Sequence, residues 1–114
     1  MKVKNYQELL PLLGMARKGN SIIIGFDNIK SRVGKNRKLL VILSEEFSDS
    51  VFKTLKYYES VDKCKLLELV GCDRKCLSDS LGLNNVQVIG INLNTGLSKG
   101  ILQLSAQGAK RRCP

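Results

Sequence analysis

The feature that most constrains the fold is an uninterrupted run of five large aliphatic residues, Leu39–Leu43, between two polar segments. A run of strand length without polar alternation is typical of a strand that is buried on both faces. Such a strand needs a layer of structure on each side of its sheet. We therefore expect a central sheet that is covered by helices on both faces.

The rest of the chain alternates between helical and strand patterns. A first helix is predicted between Tyr6 and Lys18, with a start near Leu10 because Pro11 suits a first helical turn. A strand followed by a helix then occurs four times. The strands are predicted at 21–24, 39–43, 66–70 and 86–91, and the helices after them begin near Asp27, Ser48, Asp73 and Asn94–Thr95. Short connections of this kind predict an α/β fold, a three-layer α-β-α sandwich with a central four-stranded mixed sheet.

The length of 114 residues predicts one domain, which we place at residues 1–104. The last predicted helix ends near Leu104. Residues 105–114 contain Lys110, Arg111 and Arg112, and we expect them to form a flexible basic tail.

Charge is unevenly distributed along the chain, whose formal net charge is +9. Residues 1–40 hold nine Lys or Arg and two acidic residues, whereas residues 41–80 hold six and eight. Residues 81–114 hold four Lys or Arg and no acidic residue. This asymmetry favours a surface that binds a polyanion, although the lysines could also serve only to keep the protein soluble.

The four cysteines, Cys64, Cys72, Cys76 and Cys113, do not have the spacing of a common zinc site, and the chain has no histidine. Free thiols are the rule in the cytosol. We therefore predict no metal, no cofactor and no disulfide.

Several functional classes are disfavoured by the sequence. No window reaches the 18 apolar residues of a membrane span, and polar residues interrupt any signal-peptide core near the N-terminus, so we expect a cytoplasmic protein. Without histidine, and without a recognisable nucleophile or nucleotide-loop motif, we do not expect an enzyme.

The candidate binding site is the junction at which the apolar strand ends in Gly25 and a short basic helix begins. A helix that starts in this way leaves its first-turn N–H groups free to bind phosphate oxygens. Asn28 adds an amide that can donate to and accept from a base edge, and it shares a helix flank with Arg32. The basic residues around the junction are Arg17, Lys18, Lys30, Arg32, Lys35, Arg37 and Lys38. RNA or DNA backbone is the simplest partner for such a surface.

Several segments resemble the kink-turn RNA-binding superfamily, in particular its small bacterial YlxQ-type members. The family's opening Leu-Leu-Gly-Leu-Ala-Arg-(x)-Ala/Gly-Gly is similar to residues 12–19, which read Leu-Leu-Gly-Met-Ala-Arg-Lys-Gly. Further similarities lie at Ile24-Gly25, at 38–41, at Glu46-Phe47-Ser48, and at 88–91 with 96–102. The superfamily also contains the archaeal ribosomal protein L-seven-Ae and its eukaryotic ribosomal and spliceosomal relatives.

The resemblance implies that a sharply bent RNA lies on the strand–helix junction. Polar side chains of the second helix then contact sheared G·A pairs, and the loop before the fourth helix covers an extruded base. By position, the resemblance assigns RNA contacts to Gly25, Asp27, Asn28, Ser31, Val70, Gly71 and Leu77, although Val70 and Leu77 could equally be core residues.

The chain departs from the family pattern at some of these positions and at Ser78, next to Leu77. Asp27-Asn28 stands where the family has Asn-Glu, Ser31 where it has lysine, and Ser78 where it has glycine. Two hypotheses therefore stay open. One is a monomeric, ribosome- or translation-associated protein that binds structured, kink-turn-like RNA. The other is an adaptor for ribosomal or other ribonucleoprotein proteins that kept the fold and lost the RNA reader.

Overall fold

The computed structural model describes residues 2–19, 22–35, 38–45 and 47–110, and only the backbone of residues 106–110. Within these residues the strands are β1 Lys2–Val3, β2 Ile22–Ile24, β3 Leu39–Leu43, β4 Cys64–Leu69 and β5 Val88–Asn92. The helices are α1 Leu10–Lys18, α2 Phe26–Gly34, α3 Asp49–Ser60, α4 Arg74–Leu81 and α5 Gly96–Lys110, and a 3₁₀ turn at Tyr6–Glu8 precedes α1.

The strands form one mixed sheet in the order β1-β4-β3-β5-β2. β4 pairs in parallel with both β1 and β3, whereas β5 pairs antiparallel with both β3 and β2. The mixed sheet was predicted, but the count of four strands is wrong because β1 was missed. Its two residues, Lys2 and Val3, are too short a stretch to show the alternation from which a strand is predicted.

Helices cover both faces of this sheet, which confirms the three-layer sandwich. On one face, α1, α4 and α5 pack on side chains that include Leu40, Ile42 and Ile89. On the other face, α2 and α3 pack on side chains that include Val41 and Val88. All five residues of β3 are buried, as its unbroken aliphatic run predicts.

Three of the helices begin at a residue whose side chain accepts a hydrogen bond from a first-turn N–H group. Ser48 Oγ accepts the Val51 N–H at 3.3 Å, and Asp73 Oδ1 accepts the Cys76 N–H at 2.8 Å. Thr95 Oγ1 likewise accepts the Ser98 N–H at 3.1 Å, before α5. These bonds satisfy first-turn N–H groups that have no partner inside a helix, and the predicted starts of these three helices are confirmed.

The last helix differs from its prediction. The backbone of α5 stays helical to Lys110, six residues past the predicted end near Leu104. The six residues 105–110 therefore continue the helix, and the flexibility of the tail stays a prediction. Residues 111–114, and Cys113 among them, lie outside the described residues, as do Ser21 and Glu46.

Candidate nucleic-acid interface

The sheet register decides which candidate residues can act together. We call the end of the sheet at which β3 and β4 finish the carboxyl edge, and the end at which they begin the amino edge. Ile24 pairs with Ile89, which pairs with Ile42 near the end of β3. Gly25, which follows Ile24, therefore lies at the carboxyl edge. From there α2 returns to the amino edge, a path of about 13 Å for nine residues at 1.5 Å each.

Gly25, and not Asp27, is the residue that caps α2. Its φ is +90° and its ψ is 150°, its N–H donates to the Val88 carbonyl at 3.2 Å, and its own carbonyl accepts the Ile29 N–H at 3.2 Å. No side chain caps this helix. Asp27, near which the helix was predicted to begin, lies exposed in the first turn and does not cap it.

The conformation of Gly25, and not close packing, is what requires a glycine. No atom lies within 4 Å of the position that a Cβ would occupy, yet a φ of +90° is one that residues with a side chain rarely adopt. The side of Gly25 on which a Cβ would lie is open, and no side chain caps the first turn of α2. This geometry is compatible with an anion at the first-turn N–H groups, and phosphate binding there stays a prediction.

The buried face of α2 and its exposed flank carry different kinds of side chain. Ile29 and Val33 are buried against the sheet, and Asn28, Ser31 and Arg32 are exposed together at i, i+3 and i+4. Asn28 Nδ2 donates to the Ile24 carbonyl at 2.7 Å, which fixes the amide at the end of β2. This flank therefore presents an amide, a hydroxyl and a guanidinium in a row.

Lys30 lies on the other flank of the helix, about 200° around its axis from Asn28. Its ammonium group is 5.4 Å from the centroid of the Phe26 ring. At that distance a cation is attracted to an aromatic face. Lys30 is thus predicted correctly as a surface cation, but it does not join the row of Asn28, Ser31 and Arg32.

The remaining predicted cations lie towards the amino edge, so the single basic cluster expected from the sequence is divided. Lys35 directly follows α2, and Lys38 directly precedes β3 and forms an ion pair with Asp62 at 3.0 Å. Arg17 and Lys18 end α1, four residues before β2 begins, and Arg17 is half-buried with no hydrogen-bond partner for its buried Nε among the described residues. Arg37 lies outside the described residues.

The loop between β4 and α4 lies at the carboxyl edge, as the resemblance implies. Gly71 has a φ of +90° and donates its N–H to Glu45 Oε2 at 2.8 Å, while the Cys72 carbonyl accepts the Glu45 N–H at 2.8 Å. Val70 is half-buried and donates its N–H to the Val3 carbonyl at 2.8 Å. Glu45, which sequence reasoning did not select, therefore holds this loop in place.

Leu77 does not lie at the surface. It is fully buried on the inner face of α4, together with Leu81, so the implied contact between Leu77 and an extruded base is corrected. Ser78 is also buried, and its Oγ accepts the Val86 N–H at 2.7 Å. The serine that replaces the family's glycine thus fastens the segment that leads into β5.

An open cavity of about 940 Å³ lies beside this loop at the carboxyl edge. It is formed by three segments that are distant in sequence: the residues after β3, the outer side of α4, and the turn before β5. Its lining residues are Glu45, Phe47, Arg74, Lys75, Ser78, Asp79, Leu83, Asn84 and Asn85. The adjacent cations Arg74-Lys75 and the amides Asn84-Asn85 are the only local signals in the sequence that could have pointed to it.

The cavity wall is polar and anchored. Gln87 Oε1 accepts both the Ser48 N–H at 3.2 Å and an Arg74 Nη2–H at 3.3 Å, which ties α4 to the start of α3. The Phe47 ring stacks on Phe52 with 4.9 Å between centroids. An aromatic ring, two cations and two amides can together accommodate a planar polar group with a negative charge near it.

The cysteines of the described residues are thiols. Burial, followed by the charge of Glu59, raises the pKa of Cys64 to about 11, and burial also raises the pKa of Cys72. In the described part of the chain, no three side chains of the metal-binding types His, Cys, Asp or Glu converge. In that same part, every helix is too short or too polar to cross a membrane.

Comparison with known proteins identifies the fold. No protein-family model matches the chain, and no curated protein matches it. A solved structure of a protein of unknown function from Bacillus halodurans C is 26% identical, with a TM-score of 0.74 over 86% of this chain and 96% of that one. The 15.5 kD RNA binding protein of Giardia lamblia is 15% identical, with a TM-score of 0.71 over 91% of this chain and 87% of that one. The chain therefore shares its fold with a protein that is named for binding RNA.

Proposed function

We propose that this protein binds structured RNA of the kink-turn type through the carboxyl edge of its sheet. The observation that carries the proposal is the start of α2 at Gly25, which no side chain caps, together with the exposed row of Asn28, Ser31 and Arg32 on the same helix. The RNA-binding Giardia protein of the same fold and the net charge of +9 support it.

The start of α2 supplies both backbone and base contacts in this proposal. A phosphate approaches the first-turn N–H groups over Gly25, and Arg32 binds a second phosphate. The Asn28 amide has one N–H engaged with Ile24 and keeps its carbonyl and its second N–H, so it can accept from and donate to the edge of a base. The negative charge of Asp27 repels phosphate, which limits how the RNA backbone can cross α2.

The cavity takes the unstacked base of the bent RNA. Its walls follow β3 and precede β5, which are two strand spacings and one strand spacing of about 4.8 Å from β2, so it lies at the same edge of the sheet as the start of α2. Phe47 offers a ring face, and Asn84, Asn85, Arg74 and Lys75 offer hydrogen bonds and positive charge. The base therefore lies over this cavity and not over Leu77.

The rest of the proposed function follows the same lines. The protein acts without catalysis, as a monomer, within ribosomal or other translation-associated ribonucleoprotein particles. A chain with no histidine and with an interface of amides, cations and helix N–H groups is suited to binding and not to acid–base chemistry.

One specific observation favours the alternative, an adaptor that contacts proteins. One amide N–H of Asn28 is already bound to the Ile24 carbonyl, and Lys38 is paired with Asp62. Two side chains that were predicted to bind RNA therefore have partners inside the protein. Under this alternative the row on α2 stabilises the fold and does not read RNA.

A gel shift separates the two. A kink-turn RNA is compared with the same sequence in which the G·A pairs are changed to Watson–Crick pairs. We expect the kinked RNA to bind about tenfold or more tightly, because a base-edge contact contributes roughly 1–3 kcal/mol of discrimination. Equal binding would contradict kink-turn recognition, and no binding to either RNA would favour the adaptor.

A further inference from the structure

Two thiols are in contact beside the cavity. Cys72 is fully buried in the loop between β4 and α4, and Cys76 lies half-exposed in the first turn of α4. The Cys72 thiol donates to Cys76 Sγ, and the sulfur atoms are 2.7 Å apart. Because the sulfurs of a disulfide are about 2.0 Å apart, a closure of roughly 0.7 Å would join them.

The contact is built into the start of the helix. Asp73, between the two cysteines, caps α4 and holds the Cys76 N–H at 2.8 Å, so the segment that carries both thiols is folded into one turn. Cys64 is buried on the other side of the sheet among the residues under α2 and α3. Among the described cysteines, Cys76 can therefore reach Cys72 and not Cys64.

We propose that Cys72 and Cys76 are a redox-active dithiol that low-molecular-weight disulfides, such as oxidised glutathione, convert to an intramolecular disulfide. We further propose that this disulfide weakens RNA binding at the carboxyl edge, a step that rests on the proposed function.

The reaction proceeds by two exchanges. The half-exposed Cys76 thiolate attacks one sulfur of glutathione disulfide, which forms a Cys76–glutathione bond and releases one glutathione thiolate that takes up a proton. Cys72 then loses its proton and attacks Cys76 Sγ, which forms the Cys72–Cys76 bond and releases the second glutathione as a thiol. Two electrons and two protons pass from the protein to the oxidant. Cys76 reacts first because burial keeps Cys72 protonated.

The thiol pair is connected to the cavity through Glu45. The Cys72 carbonyl accepts the Glu45 N–H, and the Gly71 N–H is bound by the Glu45 carboxylate, each at 2.8 Å. Glu45 lines the cavity, as do Arg74 and Lys75, which lie between the two cysteines in sequence. Drawing Cys72 onto α4 therefore moves groups on two walls of the cavity. The reduced protein, in which the cavity is formed, is the RNA-binding form.

Tryptic mapping tests the dithiol without any RNA. The full chain carrying Cys113→Ser is incubated with oxidised glutathione and digested without reductant. Trypsin cuts after Arg74 and Lys75, so it separates Cys72 from Cys76 unless a disulfide joins them. We expect peptides 66–74 and 76–99 to remain linked and the protein to lose two hydrogens in mass. A stable glutathione adduct on Cys76, a link to Cys64, or unmodified thiols would overturn the proposal.

RNA affinity tests the consequence. The oxidised protein should bind the kink-turn RNA at least about fivefold more weakly than the reduced protein. A change of this size is typical when an event at one site alters the affinity at another. Cys76→Ser should bind like the reduced protein with or without oxidant, and Cys72→Ala provides a second variant that cannot close. Equal affinities of the reduced and oxidised forms would show that the disulfide does not reach the cavity. If the reduced protein binds no RNA, the proposed function fails while the tryptic map still decides the dithiol.

Discussion

The two edges of the sheet both carry basic side chains, and they differ in what surrounds the charge. At the carboxyl edge, the start of α2 and its Asn28 amide lie at the same edge as a cavity with Arg74 and Lys75, and the exposed flank leads from there to Arg32 in the last turn of the helix. At the amino edge, Lys38 is ion-paired with the exposed Asp62, and Lys35 stands just past the end of α2. Arg32 and Lys35 are only one turn apart, and the Lys35 N–H donates to the Arg32 carbonyl at 3.1 Å, so the two edges differ in the groups around each cation and not in the spacing of these two cations. We expect RNA to be recognised at the carboxyl edge, where positive charge lies together with a cavity and a helix start.

Salt should produce the largest effect. If the protein neutralises about four RNA phosphates at the carboxyl edge, the logarithm of the affinity falls with the logarithm of the salt concentration at a slope of roughly −3 to −4. The affinity then falls about 100-fold between 50 and 200 mM salt. Arg32→Ala should make the slope shallower by about one unit, whereas Lys38→Ala, whose ammonium group is already paired with Asp62, should leave it unchanged. Titrations at several salt concentrations measure this, and a flat response of the unchanged protein would contradict an electrostatic interface.

The next effect separates base reading from phosphate contact. Asn28→Ala should weaken the kink-turn RNA by about tenfold and the Watson–Crick control RNA hardly at all, because a base-edge contact contributes roughly 1–3 kcal/mol of discrimination. Asn94→Ala is the matched control, since Asn94 is also exposed but follows β5 at the amino edge. Circular dichroism checks that both variants fold. Equal losses on both RNAs, or none, would show that Asn28 does not read a base.

Stability offers a matched comparison within α2 itself. Gly25→Ala should lower the free energy of unfolding by about 1–3 kcal/mol, because alanine rarely adopts a φ of +90°. Gly34→Ala should be neutral or stabilise by up to about 1 kcal/mol, because it replaces a helical glycine at a position equally free of neighbouring atoms. Urea unfolding measures both. Similar changes for the two variants would mean that backbone conformation does not fix the start of α2.

The smallest effect is expected at the amino edge. Lys38→Ala should change RNA affinity by less than about twofold and stability by about 0–1 kcal/mol, because its ion pair is exposed. From the sequence alone, Lys38 and Arg32 are expected to contribute alike. A loss for Lys38→Ala as large as that for Arg32→Ala would bring the amino edge into the interface.

Local patterns were sufficient for much of the fold. The unbroken run Leu39–Leu43 implies two covering layers, and Ser48 and Asp73 mark helix starts by a chemistry that acts over three residues. β1 was missed because two residues carry no pattern. The start of α2 was predicted within one residue, near Asp27, but its cap was not identified, because glycine caps by its conformation, which leaves no polar side chain in the sequence to indicate it.

The site was less predictable for a physical reason. Gly25, Asn28 and Arg32 follow one another along two turns of the same helix, so sequence spacing was enough to relate them. The separation of Lys38 from them depends on strand register, and the cavity depends on three loops that meet only in the folded sheet. Leu77 was assigned by position, whereas the face of α4 on which it lies is set by packing on the sheet.

The most direct test of the account is to map the interface by NMR during titration with the kink-turn RNA. We expect the largest changes in the backbone amides of Phe26, Asp27 and Asn28 and of the cavity residues Asn84 and Asn85. The amides of Lys35 and Lys38 should change little. Changes concentrated at Lys35 and Lys38, with the start of α2 unaffected, would contradict the assignment of RNA binding to the carboxyl edge.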